Sequence, residues 1–557
     1  MNRRHFLSTT LAAGAGLSIA RRLGAAPSRA LRSTGASQGP LAATSLQLHP
    51  FINAHPDAVF IRRTNVADKL DSNAKFTVGS EFASELFSAS DTGDIPFTNA
   101  MAIKPNLTCT SGTGNSPAGM GIMTDIPFVD GVLQGLRDRG FPGYNLFMRE
   151  GNWLGDGYCA SEYPVTGPML EQLVQRHGCH VYDFPTGRRL TDMTLETLQS
   201  GTEVIWRDVP DGVVFKRIGY VAPYNDDNTF LLNIAKFKTH GMGMTLTVKN
   251  LQGMAVSPYV RFCEGLDSTA QHPSSVLINY HTDREQRIDA FYAAHLAKGY
   301  PRWDCPGRTA EGGYGMETWA QRTCDSHSIT RVGLNIIEGI YGRNGDGFNA
   351  GPGPGDTPQD FMSNILIFGK NAFLVDIIGA WLAGHEPGNF GLFHIARERG
   401  LCPTLVPDHI PLYDWNAGEP APIILSEQQR TPLLTPYLRR DYNGQTEAKY
   451  HLVNEPFDYS TVSVGNVEAR PSQPEITALQ NPVRETAVFE LRFPVETRAR
   501  VEVFNSVGQR VYVLRDASFA AGAHSIRWRP GHLAPGMYVA RLSASGSTVS
   551  ARVMLLR

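Results

Sequence analysis

The sequence predicts an α/β domain with a mostly parallel sheet and helices on both faces, followed by a small C-terminal antiparallel β-sandwich. Two observations support this prediction. Between residues 58 and 401, strand-like runs alternate with helix-like patterns, as in parallel sheets joined by crossover helices. From residue 475 onward, short β-forming runs are separated by Gly, Pro and Asn turns at regular spacing, which is typical of sandwiches of the immunoglobulin-like kind.

The helices and strands of the α/β region are predicted from apolar periodicity. Val129, Val132, Leu133 and Leu136 have helical spacing and predict a helix that ends before Gly140. The same pattern predicts a helix before Gly178 and another over residues 373–382. Strands are predicted at residues 101–103, 144–148, 180–184, 204–209, 213–221, 229–237, 331–337 and 365–368.

The first thirty residues have the layout of an export signal. Arg3 and Arg4 precede a modest apolar run over residues 7–20, and with Phe6 they give the segment a twin-arginine character. An ordinary Sec signal that carries two arginines is the alternative. This run is too short to span a bilayer, and no later run is long enough. We therefore predict an export signal over residues 1–30, a flexible leader over 31–57, recognition by the twin-arginine translocase and no transmembrane segment.

The C-terminal strand-like segments contain a second predicted targeting signal. The ordered elements N-P at 481–482, R-V-E-V-F-N at 500–505, L-A-P-G-M-Y at 533–538 and the terminal R-V-M-L-L-R resemble the C-terminal sorting domain of the type IX secretion system. This resemblance implies recognition by the type IX secretion translocon and delivery, through the periplasm, to the cell surface or the extracellular medium. A generic accessory module is the alternative. Prolines at 471 and 474 place the boundary, so residues 402–474 are predicted as irregular extension and linker and 475–557 as the sandwich.

Composition excludes several classes of function. A net charge of −2 argues against nucleic-acid binding. None of the seven cysteines forms a C-x-x-C pair, so the chain has no iron–sulfur or zinc-ribbon motif. The G-x-S-x-G elbow of serine hydrolases is also missing.

Lysine usage marks the candidate site. Lysine is rare in this chain, with 10 lysines against 41 arginines, yet four lysines follow or end apolar strand-like runs: Lys104, Lys236, Lys238 and Lys249. A lysine retained where arginine is the usual cation suggests a need for a compact ammonium or a tunable pKa. Because residues two apart in a strand share a face, Lys236, Lys238 and His240 are expected to project together. Four unrelated surface lysines are the alternative.

A glycine-rich segment over residues 338–356 follows the strand predicted at 331–337. Its glycines permit close approach of backbone amides to an anion, although the order of a Walker loop is absent. Glu338 and Asp346 could bind a divalent metal through hard oxygen ligands. They could equally be turn formers.

These motifs together resemble the domain of unknown function 362 family. The matching segments are I-K-P-N-L at 103–107, K-x-K-T-H at 236–240, V-K-N-L-Q-G at 248–253, I-I-E-G-I at 336–340 and the apolar helix at 373–380. The resemblance implies a fold and a set of candidate positions over residues 58–401, without a known reaction. The family often carries ferredoxin-type cysteine clusters, which this chain lacks, and commonly has Asp at the position of Glu338.

The sequence therefore predicts a pocket at the carboxyl ends of strands that binds a small anion or a metal. We favour an enzyme acting on an anionic small molecule, because titratable groups at strand ends suit chemistry. A surface-displayed protein that binds an anion or a metal without turnover is the alternative. The cofactor is unknown, and a divalent metal is one candidate. The expected roles are catalytic for Lys238, His240 and Lys249, ligand-binding for Lys104, Asn106, Lys236 and Asn250, and metal-binding for Glu338 and Asp346.

Overall fold

The computed structural model describes most of the chain after residue 42. The described residues are 43–107, 121–151, 166–240, 243–256, 259, 274–301, 314–344, 357, 359–434, 455–462, 474–478, 482–483, 486–493, 495, 497–519, 522–544 and 547–556. Some side chains within these ranges, including that of His240, are not described. The predicted export signal lies outside the described residues.

Among the described residues before the C-terminal region, fourteen strands form three sheets. They are β1 (Ser45–Leu48), β2 (Val59–Arg63), β3 (Phe87–Ser90), β4 (Ile95–Pro96), β5 (Ala100–Pro105), β6 (Leu146–Met148), β7 (Val204–Asp208), β8 (Arg217–Val221), β9 (Thr229–His240), β10 (Gly243–Thr245), β11 (Leu334–Asn344), β12 (Gln359–Gly369), β13 (Leu412–Asn416) and β14 (Glu419–Pro422).

A nine-stranded sheet in the order β14-β13-β2-β12-β11-β9-β5-β6, with β10 paired to β9, forms the centre of the fold. The pairings between β5 and β6, β5 and β9, β9 and β11, and β2 and β13 are parallel. Strands β10, β12 and β14 pair antiparallel with their neighbours, so six of the nine strands run in one direction. The sheet is therefore mixed and mostly parallel. Strands β5, β6, β9 and β11 end at the same edge.

Helices cover both faces of this sheet. They are α1 (Pro50–Ala54), α2 (Ser72–Leu86), α3 (Ile126–Asp138), α4 (Thr166–His177), α5 (Thr247–Asn250), α6 (Ser274–Leu277), α7 (Arg284–Ala297), α8 (Tyr314–Ile329), α9 (Ala372–Leu382) and α10 (Gly391–Glu398). Phe60 and Phe368 share one buried cluster with residues of α2 and α3. Their strand neighbours Ile61 and Ile367 belong to a second cluster with residues of α9 and α10, because alternate strand residues point to opposite faces.

Local sequence explains where the helices that flank the site begin. Asp125 precedes α3 and its side chain accepts a hydrogen bond from the Phe128 amide, which satisfies one of the free N–H groups of the first turn. Asn371 does the same for α9, accepting from the amides of Phe373 and Leu374. Among the described residues, no helix combines the length and apolar composition that a bilayer span requires.

The structure differs from the sequence prediction in three segments. Residues 180–184 form no strand, and only an isolated bridge links Phe147 to His180. Glu338 was expected to open a loop, but β11 continues to Asn344 because it pairs with β12 along its length. The large sheet also extends beyond residue 401, since β13 pairs in parallel with β2.

The C-terminal region contains two small antiparallel sheets. Their strands are β15 (Glu475–Ala478), β16 (Ala487–Phe493), β17 (Thr497–Asn505), β18 (Arg510–Phe519), β19 (Gly522–Trp528), β20 (Gly536–Ala544) and β21 (Ser547–Leu555). One sheet has the order β15-β16-β19 and the other β18-β17-β20-β21. Apolar side chains of both sheets, such as Phe489 and Val503, belong to a single buried cluster. The predicted antiparallel character of this region is confirmed.

Candidate functional site

The parallel strands bring charged side chains to one edge of the large sheet. Lys104 lies near the end of β5, Glu150 follows β6, and Lys236 and Lys238 lie near the end of β9. Glu338 lies in β11, in register with Lys236. Since ligands of such sheets bind at the carboxyl ends of the strands, this edge is the candidate site.

A buried ion pair joins the ends of β5 and β6. Lys104 Nζ lies 2.8 Å from Glu150 Oε2, and both side chains are almost completely buried. Burial lowers the pKa of Lys104 and raises the pKa of Glu150, while the attraction between the two groups opposes both shifts. Gly253 packs against this pair, because a Cβ there would lie 2.2 Å from Glu150 Oε1. The glycine of the V-K-N-L-Q-G motif therefore makes room for the ion pair.

Three asparagines form a hydrogen-bonded row beside this pair. Asn233 and Asn335 are in register on β9 and β11, and Asn233 Nδ2 donates to Asn335 Oδ1 at 2.8 Å. Asn250 Nδ2 donates to Asn233 Oδ1 at 2.8 Å and to the Lys104 carbonyl at 3.0 Å. Asn250 thus ties α5 to β5 and to β9.

A second buried network lies around Lys236. Lys236 Nζ is 2.9 Å from Glu338 Oε2 and 3.5 Å from the centre of the Tyr341 ring. The Tyr341 hydroxyl donates to Asp125 Oδ2 at 3.1 Å, and the same oxygen pairs with Lys75 at 2.7 Å. This network fixes Lys236 through both an anion and an aromatic face.

The register divides the predicted lysines between the two faces of the sheet. Lys104 is in register with Asn233, whereas Lys236 and Lys238 alternate with Asn233 along β9 and start on the opposite face. Lys249 nevertheless lowers the pKa of both Lys104 and Lys238. The charge of Lys249 therefore acts on the lysines of both faces.

Lys238 is the most deeply buried of the predicted catalytic residues whose side chains are described. Its side chain is 1 % exposed. Burial lowers its pKa well below the usual lysine value, and the positive charges of Lys249, Arg343 and Lys236 lower it further. Arg343 is itself paired with Asp360 at 2.6 Å. An amine in this setting favours its neutral form, which can accept a proton or attack a carbon atom.

Lys249 lies in α5 and not at the end of an extended run. The expected strand stops at Thr245, because Asp376 of α9 accepts hydrogen bonds from the amides of Thr247 and Val248 and so fixes the start of a helical turn. Burial raises the pKa of Asp376 to about 7. Lys249 and Asp376 border a cavity of about 20 Å³, enough for roughly one water molecule. Lys249 has no ion-pair partner in the described ranges.

Asn106 lies just beyond β5, where its backbone amide donates to Thr124. Its side-chain Oδ1 is buried and accepts no hydrogen bond from any described residue. A buried carbonyl oxygen without a donor is uncommon in proteins, and a ligand donor would satisfy it.

Of the two predicted metal ligands, Glu338 and Asp346, only Glu338 lies among the described residues. The carboxylate of Glu338 is bonded to Lys236 and to the backbone amides of Asp125 and Ile340. Asp346 and the side chain of His240 lie outside the described residues. No group of three or more His, Cys, Asp or Glu residues suited to a metal ion occurs within the part of the chain that is described.

Sequence reasoning missed the acidic partners. Glu150, Asp125 and Asp376 each neutralise or position a member of the site. Glu150 lies two residues after the strand predicted at 144–148, and this position could have marked it as a candidate site residue. Asp125 stands directly before a predicted helix, a position typical of a helix cap. Nothing in the sequence linked Asp125 to Lys75 or Tyr341.

A comparison with known families supports the family resemblance of the motifs. The model of the family described as "Domain of unknown function (DUF362)" matches residues 101–381. These limits contain Lys104, Lys238, Lys249 and Glu338. No curated protein sequence matches the chain significantly.

Several solved structures match short parts of the chain. The dimeric latent PorU from Porphyromonas gingivalis is 19% identical, with 15% of this chain and 9% of that chain covered and a TM-score of 0.14. PorZ of the same organism, described as an essential bacterial surface component of the type-IX secretion system, is 12% identical, with coverages of 17% and 13% and a TM-score of 0.12. The Ig1 domain of mouse SynCAM 2 is 19% identical, with coverages of 15% and 95% and a TM-score of 0.12. The match thus spans only about a tenth of the PorU and PorZ chains.

Proposed function

This chain belongs to the family of domains of unknown function DUF362, and we propose that the carboxyl edge of its sheet binds an anionic small molecule and transforms it, with Lys238 as the reacting amine. One observation carries the proposal. Lys238 is buried at the end of β9 within the electrostatic reach of Lys249, Arg343 and Lys236. Because Lys236 and Arg343 are paired with carboxylates, an anionic ligand would be attracted mainly by Lys249, and by Lys238 when its amine is protonated.

The surrounding residues suit binding and positioning. Asn106 offers an unsatisfied buried oxygen that can accept a hydrogen bond from the ligand. The paired cations Lys104 and Lys236 are held by Glu150 and Glu338, so they define the site without adding net charge. Lys249 is half-buried and contributes a positive charge at the same edge. In this arrangement Lys238 acts as a general base or nucleophile.

Ligand-induced stabilisation tests the binding step. Phosphate, citrate, dicarboxylates, nucleotides and divalent metals are screened by thermal shift on the wild type, Lys238→Ala and His240→Ala. A bound anion should stabilise the wild type by about 2.7 kcal/mol at a concentration near a hundred times its dissociation constant. Both substitutions should weaken this effect. Lys370→Ala is the control, since Lys370 follows β12 at the other edge of the sheet and donates to Asn53. An anion that stabilises all four proteins equally would refute the site.

A second measurement distinguishes catalysis from binding without turnover. Each stabilising anion is incubated with the wild type and with Lys238→Met, and its conversion is followed by NMR. An enzyme that uses the Lys238 amine should convert the ligand only in the wild type. Binding without conversion of any stabilising anion would favour the surface-displayed binding protein. Conversion that survives Lys238→Met would remove Lys238 from the reaction.

We propose further that the protein is exported and sorted to the cell surface or beyond. The paired Arg3 and Arg4 support passage through the twin-arginine translocase, and the ordered C-terminal motifs support recognition by the type IX secretion translocon. Replacing both arginines by lysine should retain the protein in the cytoplasm. Deleting residues 481–557 should leave it in the periplasm, whereas surface delivery of the truncated chain would contradict the sorting assignment.

A further inference from the structure

The outer face of the four-stranded C-terminal sheet is rich in arginine. Pairing registers place alternate residues of β17, β20 and β21 on this face, together with Arg510 and Asp516 of β18, opposite the apolar residues that form the core. It carries five arginines and two acidic residues: Arg498, Arg500, Arg510, Arg541, Arg552, Glu502 and Asp516. We name these seven residues the arginine face.

The arginine face is organised around one carboxylate. Glu502 lies 2.9 Å from Arg510, 3.1 Å from Arg541 and 3.2 Å from Arg500, measured between carboxylate oxygens and guanidinium nitrogens. Its side chain is 8% exposed, whereas those of the three arginines are 43–53% exposed. The Arg541 guanidinium also lies 4.1 Å from the centre of the Phe504 ring. Glu502 therefore pairs with three guanidinium groups on side chains that are each about half exposed to solvent, and Arg500 pairs with Asp516 as well.

Charge is unevenly distributed along the chain. Residues 475–557 contain eleven arginines and no lysine against six acidic residues, a formal charge of +5, whereas the whole chain carries −2. The remaining residues therefore carry −7. The C-terminal region is a cationic module attached to an acidic protein, and five of the nine arginines that the structure describes in this region lie on the arginine face.

We propose that the arginine face binds an acidic polysaccharide that bears carboxylate or sulfate groups. Guanidinium groups pair bidentately with such oxyanions, and Glu502 reduces the entropy lost when they do so. Ser518, Ser543 and Ser550 share this face and supply hydroxyl groups that hydrogen-bond to sugars. Neighbouring strands lie about 4.8 Å apart and residues i and i+2 about 7 Å apart, so the cations form a two-dimensional array that suits an extended polymer.

Binding to defined polymers tests this proposal in the full-length protein. The probes are dextran sulfate, polygalacturonate and uncharged dextran, with dissociation constants measured by isothermal titration calorimetry at two salt concentrations. We expect binding to at least one acidic polymer, weaker binding at higher salt and no binding to uncharged dextran. Arg498→Ser combined with Arg552→Ser should weaken binding about tenfold, while leaving the three arginines on Glu502 intact. Arg331→Ser, which removes an 83% exposed arginine outside the face, should leave the affinity unchanged.

The Glu502→Gln variant distinguishes an ordered array from simple charge attraction. The substitution raises the net charge of the face, so charge attraction alone predicts tighter binding. An array that depends on Glu502 predicts weaker binding despite the added charge. The double arginine variant keeps the proposal testable should Glu502→Gln fail to fold. Equal affinity of the double arginine variant and the wild type, or binding to anionic lipid vesicles but to neither acidic polymer, would overturn the proposal.

Discussion

The pKa of Lys238 makes a specific prediction about stability and pH. Its folded-state pKa lies well below the unfolded value of 10.5. Between these two values the unfolded chain holds a proton on this amine that the folded chain lacks, so stability rises with pH throughout the window. The contribution is fully present above pH 10.5 and is lost as the pH falls through the folded pKa.

The magnitude follows from proton linkage. One proton corresponds to about 1.4 kcal/mol of unfolding free energy per pH unit inside the window. The variant Lys238→Met keeps most of the side-chain volume and removes the titration. The unfolding free energy of the wild type minus that of Lys238→Met should therefore increase by about 1.4 kcal/mol for each pH unit.

Urea denaturation at several pH values between 7 and 10 measures this difference. Lys370→Met is the matched control, because burial also lowers the pKa of Lys370 but Asp94 opposes the shift. The pH range in which Lys370 changes the unfolding free energy should therefore begin at a higher pH than the range of Lys238. The difference in unfolding free energy between wild type and Lys238→Met could instead stay constant with pH or fall as the pH rises. Either result would refute the lowered pKa of Lys238 and with it the neutral amine.

Three further predictions concern other residues at the same edge of the sheet. Replacing Glu150 by Gln should destabilise the fold by about 3–5 kcal/mol in chemical denaturation, because Lys104 is left buried without its partner, whereas Lys104→Met combined with Glu150→Leu should cost much less. Gly253→Ala should destabilise by about 1–3 kcal/mol and weaken anion binding, since its Cβ would lie 2.2 Å from Glu150 Oε1 in a pair that cannot move freely; an unchanged melting temperature would contradict this close approach. Asp376 has a folded pKa of about 7 against 3.8 unfolded, so its contribution to the unfolding free energy is present at low pH and is lost as the pH rises through 7. The unfolding free energy of the wild type minus that of Asp376→Asn should fall by about 1.4 kcal/mol per pH unit between these two values. A difference that does not change with pH would contradict the raised pKa.

Periodicity predicted much of the fold because the elements concerned are locally encoded. The helices α3 and α9 and the strand β9 appear where apolar spacing placed them, and burial of their apolar faces explains the agreement. By contrast, the pairing of β13 with β2 joins residues more than three hundred positions apart. Such a pairing leaves no local signal, so the sheet was predicted to end too early.

The edge of the sheet that carries the candidate site was also predictable from the sequence, whereas the ion pairs within the site were not. Apolar strands that end in Lys104, Lys236 and Lys238 indicate which edge is polar. The same linear pattern cannot show that Glu150 and Glu338 neutralise two of these lysines, because those contacts depend on strand order and register. The helical turn that carries Lys249 depends on Asp376, which lies in a helix far along the chain.

The division of the lysines between two faces determines where an anion experiences the strongest attraction. On one face Lys104 is neutralised by Glu150, and on the other Lys236 is neutralised by Glu338. Asp360 likewise neutralises Arg343. Lys249 adds a positive charge to these pairs, and Lys238 adds another whenever its amine is protonated. Because Lys249 influences lysines on both faces, the attraction is directed to the strand edge between them, and an anion bound there would raise the pKa of Lys238 toward its usual value. If the proposed anion binds at this edge, ligand binding and proton uptake by the Lys238 amine are expected to be coupled.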